Sequence, residues 1–296
     1  MRVILHLGTH KTATTYIQET LAANAGTLRE RGVEYVPLAS MRKVVVPKLR
    51  DGESLAEALR AGGFEPDRET LILSDENILG VSRDPARTGI YYPDIGARVG
   101  PILRALQGRD VSVLLATRSY DRFMSSMYCE YLRHRPFRSP AEYRSWIDTG
   151  GFSWTAVVQA LCALTGEQAV TLWRYEDFRD VEKEVLGAFS PEPIAWSGPG
   201  ERVRESLSRQ AVAALSAVRP LVGRRVTKHL VGPATRIFPK SGRFPPFTLF
   251  DASESARLRE RYRADMEEIR RSFPKASFIE REGDRAGRRS CDWREF

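Results

Sequence analysis

The stretch Leu5-His6-Leu7-Gly8-Thr9-His10-Lys11-Thr12-Ala13-Thr14-Thr15-Tyr16 decides the fold that the sequence predicts. The apolar run over 3–7 predicts a buried strand, and Gly8 opens a polar loop that holds one lysine. Apolar residues then recur at helical spacing from Ile17 onward, which predicts a helix beginning near Thr14. Strand, short loop and helix start together form a geometry that binds phosphate, because the first helical N–H groups are unpaired and the helix dipole favours an anion.

The side chains of this loop also suit an anion. Lys11 adds a full positive charge, and the hydroxyls of Thr12, Thr14 and Thr15 add hydrogen-bond donors. The loop is not a Walker A motif, because that motif has a glycine directly before its lysine and His10 stands there instead. The alternative interpretation is an ordinary strand-to-helix turn capped by threonines.

A second strand-turn-helix unit begins at the strand predicted over 111–116. Arg118 lies at the turn, and Ser126 follows eight residues later on the predicted helix. A guanidinium offers a fixed fork of donors to a phosphate, and a hydroxyl can complete the shell around it. The alternative is a surface salt bridge for Arg118 and a solvated helix position for Ser126.

Two adjacent carboxylates, Asp75 and Glu76, follow the short apolar strand predicted over 71–73. Ligands of open α/β sheets gather at the carboxyl ends of the strands, so this position is favourable for a catalytic group. Side chains alternate along a strand, so at most one of the two faces the site if the extended backbone continues. The alternative is a capping role at the start of a helix.

These segments together resemble the sulfotransferases, in the bacterial and carbohydrate-modifying style. The loop from Gly8 is similar to their 5′-phosphosulfate-binding loop, although Ala13 stands where that family usually has glycine. Arg118 with Ser126 is similar to their 3′-phosphate-binding element. Tyr175, at the end of the strand predicted over 169–173, is similar to a family tyrosine near the adenine, and packing on the core is its alternative role.

The resemblance implies a single domain over 1–279 with the sulfotransferase fold, an α/β fold in which a mostly parallel central sheet is flanked by helices. The alternation of strands and helices predicts the same class of fold. That fold is related to the P-loop nucleotide-binding folds. Residues 219–247, rich in Arg, Lys and Pro, are read as a possible lid or acceptor-binding insertion, and 280–296 as a polar tail.

The implied reaction is transfer of a sulfuryl group from 3′-phosphoadenosine 5′-phosphosulfate (PAPS) to a hydroxyl of a carbohydrate, glycolipid or small-molecule acceptor, without a metal. Lys11 would neutralise charge on the leaving oxygen, and the backbone N–H groups of residues 12–15 would hold the 5′-phosphate. Glu76 is the first candidate for the general base, Asp75 the second and His10 the third. Two alternatives stay open, which are a P-loop-type ATP-dependent kinase and a non-catalytic nucleotide or polyanion binder.

The amino-acid composition limits the classes of protein to which this chain can belong. The chain has 296 residues, of which 42% are hydrophobic and 28% charged, as in soluble globular proteins. The net charge of +8 suits an anionic ligand, and no nucleic-acid-binding motif accompanies it, so no nucleic acid partner is expected. No run is apolar for long enough to span a membrane, and no signal peptide precedes the first strand, so we expect a cytoplasmic protein.

The three cysteines, Cys129, Cys162 and Cys291, have neither disulfide nor metal spacing. Cys129 and Cys162 stand in apolar, helix-like contexts, so we expect them to be small core residues. The sequence leaves the acceptor and the oligomeric state undetermined.

Overall fold

A six-stranded sheet forms the centre of the computed structural model, which describes residues 1–198 and 206–281. The strands are β1 Arg2–His6, β2 Val33–Val36, β3 Thr70–Ser74, β4 Asp110–Thr117, β5 Val170–Arg174 and β6 Ser277–Ile279. Their order across the sheet is β2-β3-β1-β4-β5-β6, and all five neighbouring pairs run parallel. The prediction of a mostly parallel central sheet is therefore confirmed.

Helices connect the strands. They are α1 Thr14–Ala23, α2 Ala25–Glu30, α3 Leu38–Ser40, α4 Val46–Arg50, α5 Leu55–Ala61, α6 Pro85–Thr88, α7 Ile95–Ala105, α8 Tyr120–His134, α9 Pro140–Arg144, α10 Trp154–Thr165, α11 Glu182–Gly187, α12 Arg209–His229, α13 Val231–Ile237 and α14 Ala252–Ser272. A π-helix, Met41–Val45, joins α3 to α4, and short 3₁₀ turns cover Glu76–Ile78, Glu167–Ala169 and Tyr175–Asp177.

Both faces of the sheet are buried, which explains why its strands are apolar runs rather than alternating ones. In β1, Val3 and Leu5 belong to one hydrophobic cluster and Ile4 belongs to the other. Successive strand residues point to opposite faces, so β1 contributes side chains to both hydrophobic clusters. The first core includes residues from α7, α8, α10 and α14, and the second includes residues from α1 and α11. Helices therefore flank the sheet on both sides, as predicted.

The strand order reverses beside β1. From β1 the chain builds β2 and β3 on one side and then crosses to β4, β5 and β6 on the other. Ligands of such sheets bind in the crevice outside the carboxyl ends of the strands at the reversal. The loop that holds Lys11 follows β1, and the turn that holds Arg118 follows β4, so the topology brings both to this crevice.

Three features differ from the sequence-based expectations. Residues 219–237 are largely helical rather than irregular, and α12 bends at Gly223 (φ 77°, ψ 166°), where proline and glycine hide the helical period. Residues 38–50 form the helical segment that the sequence left unassigned. Strand β6 went unpredicted because it has three half-buried or exposed residues and no apolar run.

Cys129 and Cys162 are buried, as expected of core residues, and neither forms a disulfide. Cys291 and residues 282–296 of the predicted polar tail lie outside the described residues. Among the helices of the described residues, none is long and apolar enough to cross a membrane.

His6 closes β1 with a fully buried imidazole directly under the lysine loop. Its Nδ1 lies 2.8 Å from the Ser74 hydroxyl oxygen, and its ring stacks against Trp173 with 6.0 Å between centroids. Its Nε2 has no hydrogen-bond partner within residues 1–198 and 206–281. Burial lowers the pKa of His6 from 6.5 to about 4, so the ring is neutral near pH 7.

We therefore expect stability to fall as the medium is acidified from pH 7 to pH 5. His6 takes up a proton in the unfolded chain below its ordinary pKa but resists it in the folded protein down to about pH 4. For this residue alone the linkage amounts to about 2 kcal/mol of unfolding free energy across that interval. Urea unfolding of the protein and of His6→Gln at both pH values measures it. An equal loss of stability in both proteins would contradict this origin.

Candidate active site

Four loops at the carboxyl edge of the sheet carry the residues that the sequence analysis selected. They follow β1, β3, β4 and β5 and hold Lys11, Glu76, Arg118 and Tyr175. Arg118 Nη1 donates to the backbone carbonyl of Lys11 at 2.5 Å, and the Arg118 guanidinium carbon lies 4.5 Å from the centre of the Tyr175 ring. The fold thus brings together segments that are far apart in the sequence.

The backbone of the lysine loop is left-handed at two residues that are not glycine. Lys11 and Ala13 both have φ 65°, whereas Thr12 between them has no positive φ. Such alternation turns successive N–H groups toward one point and makes a concavity for an anion. Within the described part of the chain, no backbone carbonyl accepts a hydrogen bond from the N–H groups of residues 11–15. These donors therefore remain available to a phosphate.

Threonine side chains hold the loop in this shape. The hydroxyls of Thr12 and Thr14 both donate to the backbone carbonyl of Thr9, at 2.6 and 3.0 Å. The Thr9 hydroxyl in turn donates to the carbonyl of Ala116 on β4, at 2.8 Å. The protons of Thr12 and Thr14 are thus directed into the loop. The hydroxyl of Thr15 is half-buried and has no partner among the described residues.

Gly8 is the position where the loop leaves no room for a side chain. Its φ is 44°, and a Cβ built there would lie 2.8 Å from Thr14 Oγ1 and 3.2 Å from His6 Nε2. Both neighbours are fixed by their own contacts, so a larger residue would displace the start of α1. The glycine therefore permits the close packing of β1, loop and helix.

Lys11 is paired with a carboxylate that the sequence analysis missed. Its Nζ lies 3.3 Å from Oε2 of Glu130, and Oε1 of Glu130 lies 2.9 Å from Nε2 of His134. Burial works to raise the pKa of Glu130, but the charges and hydrogen bonds of Lys11 and His134 outweigh it, so this pKa is lowered. Glu130 is therefore the ionised counter-ion of the loop lysine.

Ser126 lies one helical turn before Glu130, on the same face of α8. Its side chain is buried, and its hydroxyl has no hydrogen-bond partner among the described residues. Arg118, just before this helix, is fixed by two contacts beside the stacking on Tyr175. Trp154 Nε1 donates to the Arg118 carbonyl at 2.8 Å, and Arg118 Nη1 donates to Lys11.

Arg118 also keeps an unused donor. Its Nε is buried without a hydrogen-bond partner in the described residues. A buried N–H that lacks an acceptor is costly, so this atom is a natural donor to a bound anion. With the free hydroxyl of Ser126 and the free N–H groups of the loop, the edge offers donors from both predicted phosphate elements.

A second arginine, Arg42, holds the carboxylate pair. Its Nε and Nη2 donate to Asp75 Oδ1 at 2.9 and 2.8 Å, and the same Nη2 donates to Glu76 Oε1 at 2.9 Å. Gln18 Nε2 donates to the other oxygen of Glu76 at 3.2 Å. Asp75 also accepts from the backbone N–H of Asn77, so it caps the following 3₁₀ turn. The capping role expected as an alternative is therefore present at Asp75.

The two carboxyls respond differently to these surroundings. Burial raises the pKa of Asp75 despite the opposing effect of Arg42. Burial also works to raise the pKa of Glu76, but the positive charge of Arg42, the Gln18 hydrogen bond and the nearby His10 lower it. Glu76 is thus a carboxylate at neutral pH, with Arg42 as its counter-ion.

Both ring nitrogens of His10 are occupied. Nδ1 lies 3.2 Å from the Tyr92 hydroxyl oxygen, which also accepts the His10 backbone N–H at 2.9 Å. Nε2 lies 3.0 Å from the side-chain amide of Asn77. Burial lowers the pKa of His10, so the ring is neutral near pH 7. His10 therefore ties the lysine loop to the turn that carries Glu76.

The residues missed by sequence reasoning are partners of the motif residues rather than motif residues themselves. They are Gln18, Arg42, Asn77, Tyr92 and Glu130. For Glu130 a signal existed, because a carboxylate four residues after Ser126 lies on the same helical face. The other four are placed by tertiary packing, and no local spacing indicates them.

Comparisons with known proteins do not establish the function of this chain. No protein-family model matches the chain, and no curated protein matches it. Among solved structures, a sulfotransferase from Alicyclobacillus acidocaldarius is 14% identical, with a TM-score of 0.43, and the match covers 77% of this chain and 95% of that one. A likeness at this level carries no argument about activity.

The left-handed backbone at Ala13 gives a testable prediction. A side chain in this region costs roughly 1–2 kcal/mol, whereas glycine adopts it freely. We expect Ala13→Gly to raise the unfolding free energy by about 0.5–1 kcal/mol, after the extra freedom of glycine in the unfolded chain is subtracted. Urea unfolding measures the change.

Ala22→Gly is the matched control, because Ala22 is an exposed alanine in α1, the helix that follows Ala13, and has no positive φ. There glycine should lower the unfolding free energy by about 0.5–1 kcal/mol. The two variants should therefore move stability in opposite directions. A loss of stability in both would contradict strain at Ala13.

Proposed function

We propose that this protein transfers a sulfuryl group from PAPS to a hydroxyl of an acceptor. The observation that carries the proposal is the junction of two anion-binding elements, made by the 2.5 Å hydrogen bond from Arg118 to the carbonyl of Lys11. PAPS carries phosphates at both the 5′ and the 3′ position, so it needs two such elements. A nucleoside triphosphate presents a single phosphate chain, for which the lysine loop alone would serve.

The donor is assigned to residues of both elements. The free N–H groups of residues 12–15, with the Thr15 hydroxyl, would hold the 5′-phosphate, and Lys11 would neutralise it. Arg118 Nε and the Ser126 hydroxyl, which have no hydrogen-bond partner among the described residues, would hold the 3′-phosphate. Tyr175 is proposed to contact the adenine. Thr12 and Thr14 serve this site mainly by shaping the loop through Thr9.

The proposed reaction is an in-line displacement at sulfur. The acceptor oxygen forms a bond to sulfur while the bond from sulfur to the 5′-phosphate oxygen breaks, and the acceptor proton passes to a protein base. Adenosine 3′,5′-bisphosphate leaves with the electron pair of the broken bond. Lys11 is proposed to stabilise the charge that develops on this leaving oxygen, as cations do in phosphoryl transfer. To act so, Lys11 has to exchange its contact with Glu130 for one with the donor.

Glu76 remains the proposed general base. It is ionised and follows β3 beside the lysine loop, and among the described residues its side-chain donors are Gln18 and Arg42. Arg42 is partly exposed, with 37% of its side chain accessible, so an acceptor can displace it from Glu76. Asp75 is the weaker candidate because Arg42 and the Asn77 N–H hold it as a cap, and His10 is weaker because both ring nitrogens are bound.

The acceptor class stays as the sequence analysis proposed it: a carbohydrate, a glycolipid or a small molecule that bears a hydroxyl. Two other functions are distinguished by experiment. A kinase would bind ATP in preference to PAPS, and a polyanion binder without catalysis would transfer no sulfuryl group.

The donor assignment predicts a nucleotide preference. Isothermal titration should show that adenosine 3′,5′-bisphosphate binds more tightly than ADP or ATP, without magnesium. Arg118→Ala should lower the affinity for the bisphosphate by about 10- to 100-fold, because a charged hydrogen bond contributes about 1.5–3 kcal/mol, and should leave ADP affinity nearly unchanged.

Arg87→Ala is the control, because Arg87 is an exposed arginine on α6 that forms no ion pair with any described residue. It should alter neither affinity. Magnesium-dependent binding of ATP that equals binding of the bisphosphate would overturn the sulfotransferase proposal. A 3′-phosphate preference that survives Arg118→Ala would overturn only the residue assignment.

The base assignment predicts a separation of binding from turnover. Glu76→Gln should lower kcat by about 10²- to 10⁴-fold, since a positioned base contributes about that factor, while the affinity for adenosine 3′,5′-bisphosphate stays within about threefold. Turnover is measured with radiolabelled PAPS and the best acceptor from a screen of sugars, glycolipids and small alcohols.

Glu130→Gln is the matched variant, because it removes a carboxylate of similar burial that pairs with Lys11. Loss of this counter-ion should tighten bisphosphate binding by about two- to fivefold, the range of a half-buried ion pair. Its turnover should stay within about tenfold of the original. Collapse of turnover in Glu130→Gln, with activity kept in Glu76→Gln, would move the base to Glu130.

A further inference from the structure

The positive charge of this protein is concentrated in one segment. Residues 206–250 contain eight Lys and Arg and no Asp or Glu. The formal net charge of the whole chain is +8, so all other residues together are electrically balanced. A segment of this length without one carboxylate is unusual in a chain that has 38 of them. The positive charge of residues 206–250 (the basic segment) therefore needs an explanation other than the predicted phosphate-binding elements at the sheet edge.

The middle of this segment is the helix pair α12 and α13. The first half of α12 packs into the core through Ala211, Val212 and Leu215. Beyond the bend at Gly223 the chain is tied down by Arg224, whose carbonyl accepts the Phe137 N–H at 3.0 Å. Arg219 and Arg224 also pair with Glu142. The pair is thus attached to the body while its outer surface faces solvent.

That outer surface carries large apolar side chains. Six such side chains are exposed among the described residues, and four of them lie in this pair. They are Leu221, Val222, Val226 and Ile237, whose exposed fractions are 84%, 38%, 50% and 65%. Single exposed apolar residues are ordinary on a protein surface, but their concentration in one short segment marks an interaction site.

The same segment also holds unpaired cations. Arg225, Lys228, Arg236 and Lys240 form no ion pair with any described residue. Three of the four are exposed, and Lys228 is half-buried. Exposed aliphatic groups beside unpaired Lys and Arg are the pattern of segments that lie in the interface of an anionic bilayer.

We propose that α12 and α13 form a docking surface for a membrane that contains anionic lipids. The aliphatic side chains enter the headgroup boundary, and the surrounding Arg and Lys contact lipid phosphates and carboxylates. A nucleic acid or a charged polysaccharide would contact the cations but would leave Leu221 and Ile237 in water. A lipid surface accounts for both the exposed cations and the exposed apolar side chains. Both helices pack against α8, the helix that carries Ser126 and Glu130. Docking does not depend on the proposed sulfuryl transfer.

Co-sedimentation with vesicles tests this surface in the full-length protein. At low salt, binding to vesicles of phosphatidylcholine with phosphatidylserine should exceed binding to phosphatidylcholine alone by about tenfold or more. The double variant Leu221→Ser/Ile237→Ser should lower binding to the anionic vesicles about fivefold or more, and Arg225→Gln/Arg236→Gln should do the same. All four side chains are exposed, so folding should be preserved, and thermal melting checks it.

Leu164→Ser and Arg87→Gln are the matched controls, because they change an exposed apolar and an exposed basic residue outside this segment. Neither should alter vesicle binding. Equal binding to neutral and anionic vesicles, or full binding by the Leu221/Ile237 variant, would overturn the proposal. So would tighter binding to duplex DNA than to the anionic vesicles at the same salt. Titration with adenosine 3′,5′-bisphosphate is independent of all these measurements, so each proposal can fail alone.

Discussion

The backbone carbonyl of Thr9 is the point on which the candidate site depends. It accepts the hydroxyls of Thr12 and Thr14, while the Thr9 hydroxyl is fixed to Ala116 on the neighbouring strand. These three hydrogen bonds hold two non-glycine residues in left-handed conformations that a free loop would seldom adopt. Within residues 1–198 and 206–281, no backbone carbonyl accepts a hydrogen bond from the N–H groups of residues 11–15 of this loop. The threonines thereby hold the loop in the shape that the proposed phosphate site requires.

Charge balance is the second constraint on this site. Two of its cations have a carboxylate beside them: Glu130 pairs with Lys11, and Asp75 and Glu76 pair with Arg42. Taking a charge out of water is costly unless a partner compensates it, so each pair offsets part of the cost of burying its charges when no ligand is bound. A phosphate that enters must compete with Glu130 for Lys11. The ion pair between Lys11 and Glu130 therefore lowers the affinity of the candidate site for an anion.

The charge of the chain has a different origin from the charge of the site. Carboxylates pair with Lys11 and Arg42 at the candidate site, whereas residues 206–250 have eight Lys and Arg and no Asp or Glu, which equals the net charge of the whole chain. The formal charge of +8 is thus a property of a surface and not of the crevice at the sheet edge. Composition alone does not distinguish the charge of the site from the charge of residues 206–250. In the fold, α12 and α13 pack against α8 and expose side chains to solvent.

The sequence by itself determined the parts of this protein that local chemistry defines. Apolar runs predicted four of the six strands, and Gly8, Lys11 and the threonines predicted a phosphate-binding loop, because helix starts and tight loops are set by neighbouring residues. Only the tertiary structure decided the partners. Arg42 meets Glu76, and Glu130 meets Lys11, across separations of 34 and 119 residues. Such pairs arise from sheet order and helix packing, which no local spacing encodes.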